Sequence, residues 1–471
     1  MTLSLIPQPV SIQTEDGSFP LAAHTAVLRP TDPAAARVAD LLGEMLGLPV
    51  AADGAIRLEL DATVVGAESY SLDVGVSGVV LRAGTAAGLF LGGQTLRQLV
   101  AGDSVPCVQI RDEPRFAYRS VMLDVARHFF DVAAVKRFID QIAAYKFNHL
   151  HLHLSDDQGW RIELPSRPEL TAKASGFQVG DGPGGFYTRE DYAEIVAYAA
   201  DRFVEIVPEI DVPGHVNAAV LAYPELAPDW FTPAEYTGTE VGFSALAHDD
   251  DRTYEFLTDV FTDLAAITPG RYLHIGGDEV DKMQPEHYDS FIQRAAQIAA
   301  ATGKTVIGWE EVVKTGVPTD VVAQYWGRTQ DSDEVFRAAM RRGTKVVVSP
   351  ASRSYLDMKY DEASEYGQDW AGLVGVRQAY EWDPVEFLGQ VPAENVLGIE
   401  AALWTETVET SAQAEYLVFP RLPGLGEVAW SPAGRDWDEY RPRLAAHAES
   451  WTSRGWNYFR AAEVWEDGTT A

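Results

Sequence analysis

Near the middle of the chain, the run HIGGDEV places two adjacent carboxylates, Asp278 and Glu279, after a short apolar segment and two glycines. Two carboxylates closing a strand suggest acid chemistry. Enzymes that cleave acetals with a carboxyl pair set the two groups roughly 5 to 9.5 Å apart across a ring. Sequence neighbours have Cα atoms only about 3.8 Å apart, so these two do not face each other across one bond. If one donates a proton, the other has a different task, and that asymmetry points to a nucleophile carried by the substrate itself. The competing reading is a solvated turn, because charged pairs after strands commonly face only water.

Such residues need a scaffold. Apolar strand candidates fall at 120–125, 149–154, 204–210, 272–275, 305–308, 321–325, 345–348 and 396–403. Amphipathic helices lie between several of them: Val135, Phe138, Ile139 and Ile142 follow Asp131 as N-cap. Thr188 with Asp191 forms a capping box ahead of Ile195 and Val196. Eight strands alternating with helices predict an α/β fold with a (β/α)8 barrel, a doubly wound sheet being the main competitor. Before it, strands at 70–74 and 79–81 and a helix near 86–100 predict a small α/β unit. The proline-bearing RDEPRF segment at 111–116 reads as the junction. The expected domains are therefore 1–113 and 114–471.

In a barrel the chemistry sits where strands end. The first strand runs on to Arg127 and His128, the second ends in Asp156, Asp157 and Trp160, and the third in Glu209, Asp211 and His215. The fourth supplies Asp278 and Glu279, the fifth Trp309 with Glu310 and Glu311, and the sixth Tyr325 and Trp326. Tyr355 and Asp357 follow the seventh, with Trp370 in the loop beyond, and Trp404 and Glu406 follow the eighth. Each alone has a plain structural explanation, a tryptophan in the core or an arginine in an ion pair. Together, aromatic platforms beside carboxylates and one arginine are what a sugar site needs.

Other chemistries leave little trace. There is no HExxH pair, P-loop, GxSxG elbow or Rossmann glycine fingerprint. The histidines at 149–153 alternate along a strand, which places them on opposite faces and argues against a metal site around His215 and its carboxylates. A formal net charge of −33 speaks against nucleic acid or anionic membrane surfaces as partners. No apolar run approaches 18 residues, and the single cysteine, Cys107, permits no intrachain disulfide and reads as a core residue. The opening MTLSLIPQPVSI lacks the pattern of a secretory signal, which predicts a cytoplasmic protein unless a leader has been removed.

The motifs IPQPVSI, GLFLGGQTLRQL, RHFF, HLHLSDDQGW, EIDVPGH, HIGGDEV, GWEE, YLDMKY and LWTE, spread over nearly the whole chain, resemble glycoside hydrolase family 20 β-N-acetylhexosaminidases of the actinobacterial exo-acting type. One departure is Ser120, where such proteins commonly carry glycine. The resemblance implies a retaining hydrolase that removes terminal N-acetylhexosamine from small-molecule or oligosaccharide substrates without a cofactor or metal. In this family the substrate's 2-acetamido oxygen is the nucleophile and an oxazolinium ion the intermediate. By the same resemblance Glu279 is the general acid and then base, Asp278 holds the acetamido N–H, and Tyr355 bonds its oxygen. Trp309, Trp326 and Trp370 wall the acetyl group, Arg127 and Glu406 bind the 3- and 4-hydroxyls, and Asp357 binds the 4- or 6-hydroxyl. Trp404 underlies the ring, and Asp156 with His215 forms a pair behind Glu279. A non-catalytic sugar-binding barrel, a two-carboxylate glycosidase and a disaccharide-releasing relative remain as alternatives.

Overall fold

The computed structural model describes residues 3–327, 334–389 and 391–465. The first part of the chain forms a seven-stranded sheet of β1 (Ser11–Pro20), β2 (Val27–Leu28), β3 (Val50–Ala51), β4 (Ile56–Leu60), β5 (Tyr70–Gly75), β6 (Gly78–Ala83) and β7 (Ser104–Asp112). The spatial order is β1-β7-β5-β6-β4-β2-β3. Helices α1 (Pro33–Leu46) and α2 (Ala86–Leu99) pack on each other and on this sheet. Phe90 of α2 lies 5.5 Å, ring to ring, from Phe203 of the second domain, so the helices are sandwiched between sheet and barrel.

The eight expected strands are present as β8 (Tyr118–Asp124), β9 (His149–His153), β10 (Glu205–Glu209), β11 (Tyr272–His274), β12 (Thr305–Trp309), β13 (Val322–Tyr325), β14 (Val346–Val348) and β15 (Val396–Leu403). They pair in parallel into a closed barrel. Closure excludes the doubly wound alternative. The apolar runs make sense in this setting, because parallel strands are covered on both faces. Asp131 caps the helix Val132–Ala143 through the Ala134 N–H. The Thr188–Asp191 capping box starts the helix Arg189–Ala200 that leads into β10. No described helix is long and apolar enough to cross a membrane.

Two sequence readings need correction. The histidines of β9 are not split between faces: residues two apart in a strand share a side, and all three point inward. His149 stacks on Tyr118 with centroids 4.2 Å apart, while His151 and His153 both reach Glu209. The RDEPRF segment is also not wholly a junction. Its first two residues complete β7, and Asp112 is buried, accepting from Lys146 Nζ at 2.8 Å, Tyr70 Oη at 2.5 Å and Trp430 Nε1 at 3.0 Å. Arg119 forks onto Glu68 at 2.6 and 2.8 Å across the same seam. In the helix Trp437–Ser453, Arg443 pairs with Glu427 and donates to the Leu5 carbonyl at 2.6 Å. His447 Nε2 meets the Ser4 carbonyl at 2.7 Å, which joins the two ends of the chain.

Candidate active site

The HIGGDEV loop leaves β11 with Gly276 at φ +67° and Gly277 at φ +111°. A Cβ on Gly276 would lie 1.8 Å from Asp211 Oδ1, so only glycine fits there. The close approach lets the Gly277 N–H donate to that same oxygen at 2.9 Å. Glu279 (φ +51°) and His215 (φ +54°) both sit in the left-handed region, strained for residues with a Cβ, as is common where a fold must aim a side chain.

These loops meet at a cavity of about 370 Å³ at the barrel mouth, a volume suited to one sugar ring. Asp278 and Glu279 line it on one side, and Tyr355, Trp326 and Trp370 on another. Arg127, Trp404 and Glu406 complete it. The Trp370 ring is edge-on to both Trp326 (6.2 Å) and Tyr355 (5.9 Å), giving a corner of aromatic walls. Arg127 sits 4.9 Å above the Trp404 ring and 3.8 Å from Glu406 Oε1. Asp357 is fully buried with both carboxyl oxygens unpartnered, and Glu406 Oε2 and Asp278 Oδ1 are likewise unpartnered.

Behind the cavity runs a continuous chain of buried acids and histidines. His215 Nε2 lies 3.5 Å from Glu279 Oε2 and 3.8 Å from Asp278 Oδ2, and its Nδ1 lies 3.3 Å from Asp156. Asp156 is also held by Arg127 Nη2 at 2.9 Å and His153 Nε2 at 2.8 Å. His153 continues to Glu209, whose carboxylate also faces His151 Nε2 (3.1 Å), His274 Nδ1 (2.9 Å) and Trp309 Nε1 (3.0 Å). His151 then reaches Glu400 at 3.0 Å. The register explains this layer, since Asp124, His153, Glu209 and His274 are neighbours across β8 to β11.

The electrostatics divide this network. Burial alone would push His215 down, but Asp156, Glu279 and Asp278 outweigh it and hold the imidazole well above the ordinary histidine range. Burial works against Asp156 as well, yet Arg127 and His215 keep it well below the usual carboxylate range. Asp278 is displaced the other way: burial, then the neighbouring Asp211, push it well up. Burial raises Asp211 to about 7, so the two carboxyls hold a proton at neutral pH. Burial, then Glu406, pushes Asp357 well up, and burial keeps Tyr355 a hydroxyl donor.

The catalytic-domain model of glycosyl hydrolase family 20 matches residues 116–433, and the model of that family's domain 2 matches residues 2–113. This chain belongs to glycosyl hydrolase family 20. A β-N-acetylhexosaminidase of Cellulomonas fimi is 46% identical over 98% of this chain and 97% of its own length. The solved N-acetyl-β-hexosaminidase of Streptomyces plicatus, in complex with Thio-NAglucal, superposes with a TM-score of 0.95 at 46% identity, covering 98% of this chain and 97% of the other. The GH20 β-N-acetylhexosaminidase of Streptomyces coelicolor A3(2) superposes equally well, covering 98% of both chains.

Of the family 20 residues expected from sequence, eight line the cavity directly. Asp156 and His215 lie behind it, Asp357 is sealed beneath it, and Trp309 is only 1% exposed, with its indole N–H committed to Glu209. Trp309 and Trp404 pack with centroids 5.8 Å apart, so Trp309 supports the ring platform. Sequence reasoning missed Thr239, Val241 and Gln368, which line the cavity from long loops without periodic pattern. It also passed over the depth of the His153–Glu209 chain, which the i, i+2, i+4 histidines of β9 signal once their shared face is recognised. Glu311, which accepts the Trp326 indole N–H at 3.1 Å and is raised by burial to about 8, anchors that wall.

Proposed function

We propose that this family 20 chain is an exo-acting retaining β-N-acetylhexosaminidase in which the substrate's acetamido oxygen attacks the anomeric carbon. The observation that carries the reading is the corner made by Asp278, Tyr355, Trp326 and Trp370. A carboxyl with a free oxygen, a hydroxyl donor and aromatic walls are the counterparts of an amide N–H, its carbonyl and its methyl group.

In the first step Glu279 donates its proton to the glycosidic oxygen as the C–O bond breaks, and the acetamido oxygen bonds to C1. The product is an oxazolinium whose N–H faces Asp278. Positive charge developing on the ring draws Asp278 to its ionised form, the shared proton resting with Asp211, so the attraction is greatest where charge is greatest. In the second step a water attacks C1 from the face the aglycone left as the oxazolinium's C1–O bond breaks and restores the acetamide, Glu279 takes the water's proton, and the β configuration is retained. His215, cationic through Asp156, orients Glu279. Arg127 and Glu406 offer charge-assisted partners for ring hydroxyls over the Trp404 platform, with the neutral carboxyl of Asp357 beneath them.

Glu279→Gln is expected to lower turnover of an aryl N-acetyl-β-glucosaminide by about a hundred- to ten-thousand-fold. A thiazoline mimic of the oxazolinium is expected to inhibit the wild type at low concentration. Near-normal turnover by the purified variant overturns the assignment of the acid, and hydrolysis of an aryl glucoside at the same rate overturns substrate assistance. Parallel assays with the aryl galactosaminide and with an aryl lacto-N-bioside separate gluco from galacto preference and monosaccharide from disaccharide release.

A further inference from the structure

A larger cavity, about 790 Å³, lies far from the barrel mouth, where α1 and α2 of the small domain meet the barrel helices Val132–Ala143 and Arg189–Ala200. Its charge is opposite to that of the molecule. In a chain of net charge −33, five basic side chains line it against three acidic ones.

Three of the five cations are already matched. Lys136 Nζ pairs with Glu194 at 2.7 Å, Arg202 with Asp140, and Arg137 with Glu415 at 2.5 Å. The remaining two are not. The Arg97 side chain, at the end of α2, makes no hydrogen bond and no close ion pair among the described residues, and feels Asp140 only at longer range, although it is half-buried. Among the described residues the Arg454 guanidinium donates only from Nε, to Ser450 Oγ at 3.3 Å, and it lies 5.3 Å from the Trp456 ring. Two guanidiniums withdrawn from water with only the more distant Asp140 as counter-charge, a carboxylate already paired with Arg202, are costly to hold. Burial, and then the charge of Arg454, lowers Arg97 to about 9.

A second observation concerns Gln94, one turn earlier on α2. The residue is 2% exposed, its amide nitrogen contacts Met45 Sδ at 3.3 Å, and its Oε1 is buried without a partner while the side chain lines the same cavity. An unmet acceptor beside two unmet cations defines complementary chemistry, an anionic group and a hydroxyl donor on one small molecule. Leu41, Met45, Phe90 and Val132 supply apolar floor, and the volume is that of an ordinary small-molecule site between domains.

We propose that this interdomain cavity binds a small hydroxylated organic anion, its carboxylate or phosphate held by Arg97 and Arg454 and a hydroxyl donated to Gln94 Oε1. A sugar acid and a sugar phosphate share this chemistry. The site is separate from the hydrolytic one.

Isothermal titration of the full chain with glucuronate, glucose 6-phosphate, inorganic phosphate and neutral N-acetylglucosamine, in low salt, tests it. At least one of the two sugar anions is expected to bind at a site that N-acetylglucosamine does not compete for. Which one binds identifies the anionic group. Arg97→Gln and Arg454→Gln are each expected to weaken that binding at least tenfold while leaving kcat on the aryl glycoside and the melting temperature near wild type. Inorganic phosphate binding as tightly as the sugar anions overturns the hydroxyl contact at Gln94. Absence of binding by both sugar anions, or binding unaltered in both variants, overturns the site. If a variant fails to fold, wild-type crystals soaked with the same anions decide the matter: density between Arg97 and Arg454 supports the proposal, and density elsewhere or none overturns it.

Discussion

Two regions of this molecule bury charge, and they do so in opposite ways. At the seam between the domains, Asp112 with Lys146, Glu68 with Arg119 and Glu427 with Arg443 are close pairs of permanent cations and carboxylates, and none of these six side chains has a buried polar atom left without a partner. At the barrel mouth the groups are mostly titratable, like charges are adjacent, and Asp278, Asp357, Glu406, Asp211 and His215 each retain an unpartnered buried atom. A satisfied network specifies how two surfaces fit. An unsatisfied one is held ready for a ligand, and the surrounding fold supplies the stability it lacks.

Neutralising one acid in each region should separate the two roles. Asp278→Asn is expected to reduce turnover of the aryl N-acetylglucosaminide by roughly a hundred- to a thousand-fold, the usual cost of removing one aimed electrostatic partner. Its melting temperature should hold or rise, since burial already keeps Asp278 protonated and the neutral amide replaces it without adding buried charge. Asp112→Asn should do the reverse. Leaving Lys146 buried beside a neutral amide is expected to cost about 3–5 kcal/mol of stability, measured by urea unfolding, while the folded fraction keeps its kcat. If Asp112→Asn lowers kcat as much as Asp278→Asn does, the two regions are not separable in function.

Tyr355→Phe sharpens the account of the acetyl corner. Losing one hydroxyl donor to a charge-bearing intermediate is expected to cost about 1.5–3 kcal/mol of transition-state stabilisation, read as a fall in kcat/KM on the N-acetylglucosaminide. An unchanged value removes Tyr355 from the corner.

A comparable effect should appear in stability against pH. Asp211 is raised by burial to about 7, well above an unfolded aspartate, so between these values the folded state binds the extra proton. Stability from this group is full below about pH 4 and declines until pH 7, by about 1.4 kcal/mol per unit of difference between the two pKa values. Asp211→Asn should flatten that part of the profile, and an Asp211→Asn profile parallel to wild type would count against the shared proton.

Much of the barrel was legible because strands covered on both faces must be apolar runs, and because polar residues immediately after such runs have few other reasons to be there. Arg127, Asp278, Glu279, Tyr355 and Trp404 were found in this way or through the motifs around them. What stayed hidden depends on three-dimensional neighbours. The pairing of Asp112 with Lys146 spans two domains and leaves no local pattern. Trp309 carries the same sequence signal as Trp326, yet the barrel register turns it inward to Glu209 while Trp326 reaches the cavity. Thr239, Val241 and Gln368 sit in loops whose path no periodicity records. The β9 histidines were visible, and only the parity of their spacing was misread.

The bonds from Arg443 and His447 to the carbonyls of Leu5 and Ser4 have a consequence for cooperativity. The first residues of the small domain are fastened to the last long helix of the barrel domain, so the polypeptide closes into a ring of contacts. Neither domain can melt without releasing part of the other. A calorimetric scan should therefore record one transition for two domains, and trimming a few residues from the front should lower the temperature at which the barrel itself unfolds.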